Sequence, residues 1–109
     1  RLYPLLPPSA GKDDLPQPAD TLLPATLAIL GMGADGHVAS LFAPADQAPG
    51  KPFALIATKH PDGAPRVSLT VAALCASEHL MLFLGGPEKR AALARASDRD
   101  GSAAAEILQ

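Results

Sequence analysis

The sequence predicts an α/β fold with a mostly parallel sheet flanked by helices, and three observations predict it. Short continuous apolar runs stand at 27–30, 53–58 and 79–84, and runs of this length suit strands buried on both faces of a parallel sheet. Each run stops at a turn signal: Gly31, the segment His60-Pro61-Asp62-Gly63, and Gly85-Gly86. Helix starts follow the later turns, with Thr70 placed to cap and Pro87 placed at a first helical turn beside Glu88. Strand, Gly-rich turn and helix in repetition define the class.

Taken in order, residues 1–26 form a Pro-rich connecting segment. Six of the twelve prolines fall within the first 24 residues, and proline removes backbone donors and bars its predecessor from helix. Only a short helical turn near Asp20–Leu23 is expected there. Residues 27–109 are then the C-terminal part of one domain. Its first strand, Leu27 to Leu30, runs into Gly31, and a short helix of about five residues follows His37 until Pro44 stops it. The second run, 53–58, begins after Pro52. Arg66 to Thr70 is extended, Val71 to Ala76 is helical, His79 to Leu84 is the clearest strand, and a helix runs from Pro87 to about Ala96. No internal repeat is present.

The composition limits the core. Of the residues that make the chain 48% hydrophobic, 22 are alanine and 17 leucine, with three Phe, one Tyr and no Trp. A chain this short buries about two-thirds of its unfolded surface at most, and alanine returns little per residue. The chain is therefore expected to lean on a missing N-terminal half or on a partner subunit, as in a homo-oligomer, to cover exposed sheet edges. Alone, the 109 residues are expected to be marginally stable and inactive.

Charge and hydropathy exclude several functions. Nine Lys/Arg against eleven Asp/Glu leave no basic surplus for a phosphate backbone, so nucleic-acid binding is not expected. No apolar run reaches the ~18–20 residues of a membrane span, so no membrane partner is expected either. The single cysteine, Cys75, cannot form an internal disulfide or a zinc site alone. Its place on an apolar helix face suggests a buried, inert thiol.

The densest cluster of chemical groups is Gly31-Met32-Gly33-Ala34-Asp35-Gly36-His37. Gly31, Gly33 and Gly36 satisfy the spacing of a dinucleotide-binding loop, a Rossmann-like feature. However, Pro44 cuts the following helix short and no acid stands about 20 residues on, near Ile56, to hold a ribose. The loop instead offers a carboxylate and an imidazole two positions apart at the carboxyl end of a strand, where open α/β sheets bind ligands. His37 can take a proton from water, Asp35 can orient it, and the glycines let backbone N–H groups approach an anion. A tight turn with a capping Asp and an exposed His is the plainer reading of those three residues. Gly-x-Ser-x-Gly is absent around Ser40, which argues against a serine hydrolase. His60 is expected in an exposed loop, and His79 in a structural role.

The stretch Leu30 to Phe42 closely resembles the signature of 6-phosphogluconolactonases. Arg66-Val67-Ser68-Leu69-Thr70 and Phe83-Leu84-Gly85-Gly86-Pro87-Glu88-Lys89 agree with it in order and spacing. The chain is similar to the C-terminal half of that family. Ala43 intervenes where the family has Pro after Ser-Leu-Phe, and Val38 replaces the usual Thr. Glucosamine-6-phosphate deaminases of the same superfamily also carry Asp-Gly-His but continue with Ile-Ala-Phe-Asn-Glu-Pro. This chain continues Val38-Ala39-Ser40-Leu41-Phe42, without the glutamate.

The resemblance implies a cytoplasmic hydrolase of a small sugar-phosphate lactone in the pentose phosphate pathway, with His37 as general base and Asp35 tuning it. Ester hydrolysis needs a base, a water and an oxyanion stabiliser, so no metal and no organic cofactor is implied. Lys89 resembles a phosphate contact at a helix N-terminus, and Gly31, Gly33 and Gly36 would line the substrate. Arg66 is either a phosphate clamp or a surface partner of Asp62. The alternatives are a sugar-phosphate isomerase or deaminase, and a noncatalytic sugar-phosphate-binding fragment.

Overall fold

A computed structural model describes residues 23–47 and 55–109. The Pro-rich segment up to residue 22, with most of its expected helical turn, and the start of the 53–58 run lie outside the described residues. The elements are β1 (Leu27–Gly31), a 3-10 turn (Pro44–Gln47), β2 (Leu55–Lys59), β3 (Pro65–Leu69), α1 (Val71–Cys75), β4 (His79–Phe83), α2 (Pro87–Ser97) and α3 (Ala103–Ile107).

The α/β class is as expected. β1 and β4 pair in parallel, Leu27 opposite His79 and Gly31 opposite Phe83. The described part of the 53–58 run does not join them. Its β2 portion pairs antiparallel with β3 in a separate two-stranded sheet, Leu55 opposite Leu69 and Lys59 opposite Pro65. The connection is short: Gly63 N donates to His60 O (2.8 Å) and His60 N to Ala64 O (2.9 Å), closing a turn that a parallel crossover could not use.

Apolar side chains of β1 and β4 alternate between two environments. Leu30, Leu80 and Leu82 pack on the core, whereas Ile29 (63% exposed), Met81 and Phe83 (74%) face outward. The expectation of strands buried on both faces holds for one face only, because among the described residues the helices lie on one side. That covered side holds Met32, Val38, Leu41, Ile56 and Leu74 against Ala92 and Ala96 of α2 and Ala103, Ala104 and Ala105 of α3. The alanines that return little hydrophobic energy let the helices approach closely.

Local chemistry explains the ends. Thr70 caps α1 by accepting from Ala73 N (3.1 Å), and Ser102 caps α3 by accepting from Ala105 N (3.2 Å). The short helix expected after His37 does not form. Leu41 N instead donates to Val38 O (3.0 Å), with Ala39 at φ 53. The Asp46 carboxylate then accepts from Phe42 N (3.0 Å) and Ala43 N (2.8 Å) and starts the 3-10 turn. Cys75 is exposed rather than buried. Partial desolvation still pushes its thiol up, which favours the protonated thiol over the thiolate. No helix among the described residues is long and apolar enough to cross a membrane.

Candidate active site

The loop after β1 is anchored by its apolar members and presents its polar ones. Met32 and Val38 are buried and bridge each other across the loop. Between them Gly33 N donates to His37 O (2.9 Å) and Gly36 N to Gly33 O (3.1 Å). The five residues from Gly33 to His37 thus form a closed protrusion at the carboxyl end of β1.

On it, His37 Nδ1 lies 2.6 Å from Asp35 Oδ1, and His37 N donates to the same oxygen at 3.2 Å. Burial alone would raise the Asp35 carboxyl. The His37 backbone N–H, the imidazole hydrogen bond and the imidazole charge outweigh that and hold it below the usual carboxylate range. An ionised carboxylate only accepts, so Nδ1 supplies the proton of this contact, while Nε2 makes no hydrogen bond among the described residues. The His37 side chain is one-third exposed and that of Asp35 61% exposed, so water reaches the pair.

Two glycines make this geometry possible. A Cβ on Gly33 would collide with the imidazole Cε1 and Nδ1 and with Asp35 Oδ1. Gly36 has φ +85, and a Cβ there would come within 2.7 Å of Ser102 Cβ. Gly31, by contrast, ends β1 with open space where a side chain would be. The N–H groups of Gly33 and Gly36 are engaged inside the loop.

Helices brace the loop from behind. Arg95 of α2 donates to Ala34 O at 2.9 Å, and Ala104 N of α3 donates to Gly36 O at 3.1 Å. Neither brace was legible in the sequence, because Arg95 lies 61 residues from its acceptor. Ser102 before an alanine run was a readable cap, but nothing tied it to the glycine loop.

The other candidates stand further off. The register of β1 against β4 sends the loops after Gly31 and after Phe83 from one edge of the sheet. Lys89, in the first turn of α2, is half-buried, and its side chain makes no hydrogen bond or ion pair among the described residues. Arg66 is exposed on β3 and, among the described residues, donates only to Pro65 O (3.4 Å). It forms no ion pair with Asp62, although its charge helps hold that carboxyl down, behind the larger effects of the Ala64 N–H and His60. His60 is more than an exposed loop residue. Its Nδ1 lies 2.8 Å from Asp62 Oδ1, and its ring meets Phe42, which meets His37. Among the described residues no group of three or more His, Cys, Asp or Glu is placed to hold a metal ion.

The fold and the site define an α/β protein with an Asp-x-His pair at the carboxyl edge of a parallel strand pair. Sequence comparison places it more closely. The profile of the glucosamine-6-phosphate isomerases/6-phosphogluconolactonase family matches residues 10–107, and the chain belongs to that family. It is 46% identical over 66 residues to a 6-phosphogluconolactonase of Thermotoga maritima, covering 58% of this chain and 29% of that protein. It is 43% identical over 72 residues to one of Helicobacter pylori, covering 64% and 32%. The crystal structure of the T. maritima 6-phosphogluconolactonase superposes with a TM-score of 0.66 at 35% identity, over 74% of this chain and 37% of that one. The chain spans about a third of the length of the curated relatives it matches.

Proposed function

We propose that the protein hydrolyses 6-phospho-D-glucono-1,5-lactone to 6-phosphogluconate, in the cytoplasm, as a step of the pentose phosphate pathway. The observation that carries the reading is the His37 Nδ1 to Asp35 Oδ1 contact of 2.6 Å, which leaves Nε2 free beside a solvent-accessible loop. The names of the relatives supply the substrate class.

In the reaction, Nε2 of His37 takes a proton from water as the water oxygen bonds to the lactone carbonyl carbon. Asp35 stabilises the imidazolium that forms. The tetrahedral intermediate then collapses, the bond from that carbon to the ring oxygen breaks, and the imidazolium returns its proton to the leaving oxygen. Lys89 would take the substrate's phosphate at the start of α2, on the sheet edge shared with the loop. Arg66 is a second candidate for that anion. Gly33 and Gly36 serve by letting the pair and its braces close up, and Gly31 leaves room at the strand end. The remaining walls of the pocket would come from an N-terminal half or a partner subunit.

The test is lactone hydrolysis by the intact protein, corrected for the spontaneous rate. His37→Ala should lower kcat by roughly 10²–10⁴-fold. Full activity in that variant would remove His37 as the base. Binding of the phosphorylated product without any turnover would favour a noncatalytic sugar-phosphate-binding role.

A further inference from the structure

The structure carries a second imidazole–carboxylate pair, His60 with Asp62, and a single aromatic ring separates it from the first. Phe42 lies 4.7 Å from His37 (centroid to centroid, planes at 43°) and 4.9 Å from His60 (planes at 80°). Both spacings fall in the ~4.5–7 Å range of attractive aromatic pairs, and the Phe42–His60 geometry is the edge-on one such pairs prefer. We infer that Phe42, backed by His60, is a positioning residue for His37, and that the His37–Phe42–His60 stack fixes where Nε2 points. This rests on the reading of His37 as the base.

The need for a second restraint follows from the first. A hydrogen bond from Nδ1 to Asp35 fixes one corner of the imidazole, but the ring can still pivot about that contact and swing Nε2 through an arc. A second ring packed against the imidazole, as Phe42 is at 4.7 Å, restricts that pivot. Phe42 is suited to this because its own backbone is held: its N–H donates to Asp46 at 3.0 Å, and its neighbour Leu41 is fully buried. His60 is held in turn. Its N–H donates to Ala64 O (2.9 Å), Nδ1 lies 2.8 Å from Asp62 Oδ1, and Asp62 accepts from Ala64 N (2.8 Å).

The stack also crosses between sheets. His37 follows β1, whereas His60 follows β2 in the antiparallel hairpin. Phe42 therefore makes the turn of that hairpin part of the support of the base. The role asked of His60 is that of an aromatic ring, not of a charge.

Four variants of the intact protein test this, with kcat and KM for lactone hydrolysis and the His37 ring resonances followed by NMR. Phe42→Leu should lower kcat by about tenfold with KM changed by less than about twofold, since misplacing a base costs chemistry rather than binding. Phe42→Tyr should restore kcat. His60→Ala should show a smaller kcat loss, about threefold, and His60→Phe should regain it. The His37 Cε1 proton should lose its ring-current shift in Phe42→Leu and keep it in Phe42→Tyr. An unmoved His37 resonance with unchanged kcat in Phe42→Leu overturns the inference, as does a His60→Phe variant no better than His60→Ala. The NMR arm does not depend on turnover. Should His37→Ala keep full activity, the base assignment fails while the resonance shifts still judge the stack.

Discussion

Gly33 and His37 are packed too closely for a side chain between them: a methyl group on the Gly33 Cα would overlap the imidazole Cε1 and Nδ1. The backbone of Gly33 also donates to the His37 carbonyl at 2.9 Å, so neither residue can move without the other. Gly33→Ala should therefore displace the imidazole from Asp35 while Met32 and Val38 keep the loop anchored. The expected loss in kcat/KM is on the order of 10²-fold, with the thermal midpoint little changed. A variant with wild-type kinetics would show that the imidazole contact is dispensable.

Asp35→Asn keeps the side chain's shape and removes its charge. The neutral amide can donate to Nδ1, favouring the tautomer in which Nε2 carries the proton and cannot act as base, so kcat should fall steeply. A pH dependence follows as well. The folded carboxyl titrates below its ordinary value, so its stabilising contribution is present above about pH 4 and is lost as pH falls through the lowered folded value. The stability difference between wild type and Asp35→Asn should shrink between about pH 5 and pH 2 in denaturant titrations. A constant difference would contradict the lowered carboxyl.

Lys89→Gln should raise KM for the phosphorylated lactone more than it lowers kcat, because a charge on the distant phosphate binds ground state and transition state alike. Equal losses in both, or none, would return Lys89 to a solvated role. Phosphate titration monitored at the Lys89 and Gly86 amides gives a turnover-free check.

Two substitutions outside the His37–Asp35 pair should leave the protein as stable or more so. Ala39 sits at φ 53, where glycine is unstrained; Ala39→Gly should gain about 0.5–1 kcal/mol. The buried Thr58 hydroxyl finds no partner among the described residues. Thr58→Val should therefore be neutral or stabilising by up to about 1 kcal/mol. Chemical denaturation measures both, and a clear loss in either would show an interaction that these geometries do not contain.

The outward face of β1 and β4 should bind an apolar dye. Ile29, Met81 and Phe83 are each half or more exposed and stand on neighbouring strands in register, a patch of the kind that recruits such probes. The isolated 109-residue chain should enhance ANS fluorescence, and Phe83→Ser should reduce the enhancement. No enhancement would mean that this face is covered in solution.

What the sequence alone determined was local. The apolar runs at 27–30 and 79–84, the cap at Thr70 and the Pro87 helix start each act through their own neighbours, and each appears as expected. Asp35 and His37 were legible for the same reason, since two residues apart on a glycine-rich turn is a short-range relation. Tertiary structure decided what depends on long separations. Whether the 53–58 run pairs with β1 or with β3 is a choice between partners of similar apolarity, and the short His60–Ala64 turn settles it as an antiparallel hairpin. The turn at Ala39 replaces a helix because burying Val38 and Leu41 together outweighs the backbone strain of one residue. Arg95 on Ala34, Ser102 under Gly36 and Phe42 between two imidazoles are contacts that no spacing announces. Side chains distant in sequence meet only once the core has brought their elements together, so the dyad could be read from the chain, but its supports could not.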